Sequence, residues 1–91
     1  MSQVIYLVLL HNTPIVAYAH ENVANDEAIE VGGKVESVHL HSTNLNQQIY
    51  VVIVNNIPSI AYTSRDNAER EALEASGKIK SVYLFSRTNS K

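Results

Sequence analysis

The chain has 91 residues, 45% of them hydrophobic, with no cysteine and a formal net charge of −2. That length supports one hydrophobic core and so one domain, and the absence of cysteine excludes disulfides and thiolate metal sites, as suits a reducing cytoplasm. The slightly acidic balance argues against nucleic acid as a partner, because polyanion binding needs a basic surface.

In chain order, Val4-Ile5-Tyr6-Leu7-Val8-Leu9-Leu10 is apolar at every position, as expected of a central strand covered on both faces. It lacks the charged flank and cleavage site of a secretory signal, and no apolar stretch is long enough to span a bilayer, so no membrane is expected. His11-Asn12-Thr13-Pro14 reads as a turn, since asparagine tolerates αL and proline fixes φ, and Ile15–Ala19 as the returning strand. A helix follows from about Glu21 through Glu30, with Asn22 as its expected N-cap and Gly33 as the αL glycine that ends it. Ala24 and Ala28 form a thin i, i+4 stripe that lets the helix lie close to a sheet. Val35–His41 then alternates, with Val38 and Leu40 on one face and Ser37, His39 and His41 on the other.

The same grammar then recurs. Shifted by 44 positions, Gln3 falls on Gln47, Ile5-Tyr6 on Ile49-Tyr50, and Asn12 and Pro14 on Asn56 and Pro58. Ala17-Tyr18 falls on Ala61-Tyr62, Ala24 and Ala28 on Ala68 and Ala72, Gly33-Lys34 on Gly77-Lys78, and Val38 and Leu40 on Val82 and Leu84. In the second copy Asn55-Asn56-Ile57-Pro58 is the turn, Ser59–Thr63 the second strand, Ser64 the N-cap, Gly77 the αL glycine and Ile79–Phe85 the third strand. The expected fold is therefore α+β: a tandem duplication of a ββαβ unit with pseudo-two-fold symmetry, an antiparallel or mixed sheet and one helix per repeat. The repeats span 3–43 and 47–87 of a single domain, 1–91, with 44–46 as linker and 88–91 as tail. In each unit the third strand lies parallel to the second, on the far side of the first. The halves either join into one six-stranded sheet or pack as two smaller sheets, each unit covering the other's apolar face.

Chemistry-bearing motifs are scarce. His39 and His41 point the same way from one strand, and His20 lies toward the same end, but spacing fixes no third ligand, so no metal site is expected. No elbow presents a serine and no glycine-rich loop precedes a helix, so catalytic residues and cofactors are both expected to be none. The tyrosines recur in pairs, Tyr6 with Tyr50 and Tyr18 with Tyr62, as packing residues do. What has diverged is charge. Through Asn44, Glu21, Asp26, Glu27, Glu30 and Glu36 face only Lys34, a balance of −4. From Leu45 on, Arg65, Arg70, Lys78, Lys80, Arg87 and Lys91 face Asp66, Glu69, Glu71 and Glu74, a balance of +2.

Ile49-Tyr50-Val51-Val52-Ile53-Val54, Ile60-Ala61-Tyr62-Thr63-Ser64 and Ala68 through Ala72 together give a tyrosine-led strand, a hairpin, a Tyr-x-Ser helix start and an alanine-marked helix. That combination resembles small uncharacterised proteins encoded by bacteriophages and bacteria. The resemblance implies an accessory protein that works by binding, either blocking a host or defence factor or capturing a nucleotide signal. The leading expectation is a non-enzymatic cytoplasmic inhibitor that binds a host protein through Glu21, Asp26, Glu27, Glu30, His39 and His41. The alternative is a small-molecule binder with its site between repeats or subunits. Self-association is expected as well, because strands apolar on both faces are hard to cover in so short a chain.

Overall fold

A computed structural model describes residues 2–42 and 47–85; the expected linker, 44–46, and tail, 88–91, lie outside the described residues. The element order is ββαβ twice: β1 (Ser2–Leu10), β2 (Thr13–Tyr18), α1 (Glu21–Val31), β3 (Lys34–His41), β4 (Gln48–Val54), β5 (Ile57–Tyr62), α2 (Arg65–Ala75) and β6 (Lys78–Phe85). No described helix is long and apolar enough to cross a membrane.

The six strands close into a barrel in the order β1-β2-β6-β4-β5-β3. This is neither a six-stranded open sheet nor two packed sheets. Within each half the expected order holds, since β1 pairs antiparallel with both β2 and β3, and β4 with both β5 and β6. Closure comes from two parallel pairings between the halves. One is β2 with β6, through Ala17↔Leu84 and Tyr18↔Phe85; the other is β3 with β5, through His39↔Ile60, Leu40↔Ala61 and His41↔Tyr62.

The two-faced character of the central strands follows from this closure. Ile5, Leu7 and Leu9 of β1 and Ile49, Val51 and Ile53 of β4 point into the barrel. They pack there with Ala17, Val38, Leu40, Ala61, Val82 and Leu84, so the interior is a filled core, as small barrels require. The outward side chain Val8 meets Ala24 and Ala28 of α1, and Val52 meets Ala68 and Ala72 of α2. Each helix thus lies on one side of the barrel, its alanine stripe against a central strand. One chain covers both faces of these strands, so the burial argument for self-association no longer applies.

The hairpin turns are tighter than their sequence suggests. Only two residues turn, and all four turn residues have positive φ: His11 at 54°, Asn12 at 64°, Asn55 at 55° and Asn56 at 66°. Positive φ at both central positions is the type I′ geometry that matches strand twist, and it leaves Thr13-Pro14 and Ile57-Pro58 inside the second strands. Each second strand carries a bulge, with Val8↔Val16 followed by Leu9↔Pro14 and Val52↔Ile60 followed by Ile53↔Pro58. The extra residue shifts the alternation, so Pro14 and Ala17, three apart, are both buried.

Two expectations about the helix ends need correction. Asn22 is not the first N-cap: His20 holds that position, with extended backbone and no side-chain hydrogen bond, whereas Ser64 Oγ accepts from the Asn67 N–H at 3.3 Å. The αL residues are Gly32, with φ 75°, and Ser76, with φ 57°, one position before the expected glycines. The N–H groups of Gly33 and Gly77 reach back to the carbonyls of Ala28 and Ala72 at 2.8 Å, completing Schellman motifs. Gly33 and Gly77 are glycines for a different reason. A Cβ at either position would collide with a backbone carbonyl oxygen, that of Leu9 or of Ile53.

Two stability predictions follow from these termini. His20→Ser should supply the missing cap and raise stability by about 1 kcal/mol in urea denaturation, with no gain expected from the same change at Asn22. Gly33→Ala and Gly77→Ala should each cost roughly 1–3 kcal/mol because a carbonyl must move, while Ser76→Gly should gain about 0.5–1 kcal/mol by relieving its αL backbone.

Candidate functional site

The six site residues expected from sequence fall into two groups. Asp26 and Glu30 are exposed on α1, facing away from the Ala24-Ala28 stripe, and Glu21 is exposed in its first turn. Glu27 is half-buried on the flank nearest β2, where it and Glu30 act on the Tyr18 hydroxyl. His39 and His41 stand exposed on the outer face of β3 near its C-terminal end, in register with Val4 and Ser2 of β1. His41 stacks on Tyr62 at 5.4 Å between ring centroids. Its counterpart Phe85 stacks on Tyr18 at 5.5 Å, so both rings mark the closures between the halves. His20 does not join His39 and His41 in a ligand set, and among the described residues no three His, Cys, Asp or Glu side chains gather to hold a metal.

The exposed face of α1 has a feature that the charge count alone does not give. Ile29 is 78% exposed there, beside Asp26 and Glu30. The equivalent residue of α2, Leu73, is 81% exposed. The surroundings differ. On α2, Arg65 and Arg70 interleave with the acids, and Arg65 Nε donates to Glu69 Oε2 at 2.9 Å. The sequence of α1 holds no Lys or Arg, and its four carboxylates form no ion pair among the described residues.

A second feature lies at the end of the barrel that carries the hairpin turns. The β2–β6 pairing covers only the last residues of each strand, and their beginnings pair with β1 and β4 but not with each other. A cleft of about 380 Å³ opens there, lined by His11, Asn12, Thr13, Ile53, Asn56, Lys78, Ile79 and Lys80. Lys80 Nζ bridges it, donating to the Pro14 carbonyl oxygen at 3.2 Å. Lys78 and Lys80 occupy the same alternating set of β6 as Val82 and Leu84, which fill the core. They are inward positions that become polar where the barrel opens. In the sequence they count toward the +2 balance of the second half, which does not place them at a site. Their parity with Val82 and Leu84 was the available signal.

Burial raises the phenol pKa of Tyr18 and Tyr62 above the usual 10.0, and the neighbouring carboxylates add to this, Glu27 and Glu30 for Tyr18, Glu71 and Glu74 for Tyr62. A raised folded-state value means that the fold favours the neutral phenol. Its contribution to stability is fully present below the unfolded value and is lost as pH rises through the folded one. Replacing both with phenylalanine should therefore flatten the fall in unfolding midpoint between about pH 9 and pH 11. An unchanged slope in denaturation series at those pH values would remove the two phenols as its cause. No protein-family model, curated protein or solved structure matches the chain.

Proposed function

We propose that the chain is a non-enzymatic binding protein of the phage-accessory kind, and that the outer face of α1 docks on a basic surface of a host protein and blocks it. The observation that carries this reading is the uncompensated acidic face around Ile29. An aliphatic side chain left 78% exposed costs little by itself but becomes favourable when a partner covers it. The carboxylates of Asp26 and Glu30, with Glu21 and Glu27 on the flanks, form no ion pair with a cation among the described residues. They steer and orient a partner bearing Lys or Arg, and they penalise an acidic one. His39 and His41 lie at the other end of β3 from Val35, a β3 residue that packs against α1, and belong to the rim at most.

The test uses immobilised protein and bacterial extract, with the bound protein eluted by rising salt. Retention should fall about tenfold or more in Asp26→Lys/Glu30→Lys and in Ile29→Ser, the scale of a central interface residue. It should persist in Leu73→Ser on the equivalent face of α2. Retention that survives the α1 changes, or that is lost equally in the α2 variant, would place the contact elsewhere.

A further inference from the structure

We infer that the cleft between β2 and β6 is a binding site for a small phosphorylated anion, distinct from the helix face and independent of the reading above. Three observations support it. The lining contains two lysines, a histidine, two asparagines and a threonine, and no carboxylate. At about 380 Å³ the cleft falls within the range of small-molecule sites, large enough for a phosphate group with an attached ring. It also lies where the two halves of the chain meet, with His11, Asn12 and Thr13 supplied by one and Asn56, Lys78 and Lys80 by the other.

The lysines stand where the alternation of β6 calls for core residues. Both are nevertheless solvent-exposed, because the barrel is open at this end, so their ammonium groups are accessible to an anion. Lys80 Nζ spends one N–H on the Pro14 carbonyl, which leaves two further donors available to a ligand. Lys78, two residues earlier on the same face, supplies a second cation. Lysine binds phosphate as a point charge, and the amides of Asn12 and Asn56, each both donor and acceptor, can read polar groups attached to it. The two-residue turns, with both residues at positive φ, bring these asparagines to the edge of the cleft.

The twin position between β3 and β5 provides an internal comparison. There Glu36 stands where Lys80 stands in β6, and Ile57 stands where Thr13 stands in β2, while Lys34 matches Lys78. The two copies share a scaffold, but only the β2–β6 side pairs two lysines. The anion site is therefore a property of one side of the barrel and not of the repeated unit.

The experiment is a set of titrations followed by amide ¹H–¹⁵N NMR, with inorganic pyrophosphate, adenosine monophosphate and adenosine as probes. Pyrophosphate or the monophosphate should give saturable shifts centred on Asn12, Thr13, Asn56, Lys78 and Lys80, and adenosine should give none. Whichever phosphate binds tighter identifies the ligand as a free polyphosphate or a nucleotide. Lys78→Met should weaken binding about tenfold or more, as expected for loss of a charge-assisted contact. Lys34→Met, at the twin position, should leave it unchanged. Lys80 also tethers the β2–β6 opening, so Lys78→Met is the deciding variant, and its amide dispersion verifies the fold. Shifts that do not saturate, equal binding of adenosine, or equal weakening by Lys34→Met would overturn the assignment.

Discussion

Everything else in this fold depends on two short parallel strand pairings. β2 joins β6 over two residue pairs and β3 joins β5 over three. Each is extended by one backbone bond, from the Ala19 N–H to the Phe85 carbonyl at 3.0 Å and from the Thr63 N–H to the His41 carbonyl at 3.1 Å. A stacked ring pair lies over each, Tyr18 with Phe85 and His41 with Tyr62. Without these contacts each half would be a three-stranded sheet with Ile5, Leu7 and Leu9, or Ile49, Val51 and Ile53, facing water. Burying such side chains contributes roughly 1.5–3 kcal/mol each, so closure is where the hydrophobic driving force is realised. A few backbone bonds suffice because they only have to hold the register of a core that is already favourable.

Closure also explains why the helices are so sparsely apolar. They do not build the main core; they cover the outward face of a central strand, and two alanines do that at close range. Close approach has a cost at the helix exits, where β3 and β6 must start directly beneath the ends of β1 and β4. Gly33 and Gly77 meet it by having no Cβ to strike the carbonyls of Leu9 and Ile53. The left-handed residue that ends each helix lies one step earlier, and there the second copy tolerates serine.

The two halves have kept what closure and packing need and changed what they leave free. At the ring stacks histidine and phenylalanine are interchangeable, since either provides a flat face for tyrosine. At the helix starts one copy has a capping serine and the other an uncapped histidine. On the helix faces an exposed aliphatic side chain is kept while the charges around it differ. At the barrel mouth, lysine on one side stands opposite glutamate on the other. The acidic face of α1 lies where the two copies have diverged, and the cationic cleft between β2 and β6 combines Asn12, Asn56 and Lys78, which both copies keep, with Thr13 and Lys80, which the other copy replaces by Ile57 and Glu36.

By itself the sequence determined the repeat, the order of elements, the two-faced strands, the alternation that sends Val38 and Leu40 inward, the Ser64 cap and the acidity of α1. These are legible because they rest on side-chain periodicity and local backbone preference. Barrel closure was decided only in three dimensions, because strands pair through N–H and C=O groups that nearly every residue carries, leaving no signature of which edges meet. The glycines show the same limit. Sequence cannot distinguish a glycine needed for positive φ, such as Gly32, from one needed for space, such as Gly33. It could place Lys78 and Lys80 on one face of a strand, but only the closed barrel shows that this face points inward and that its near end stands open.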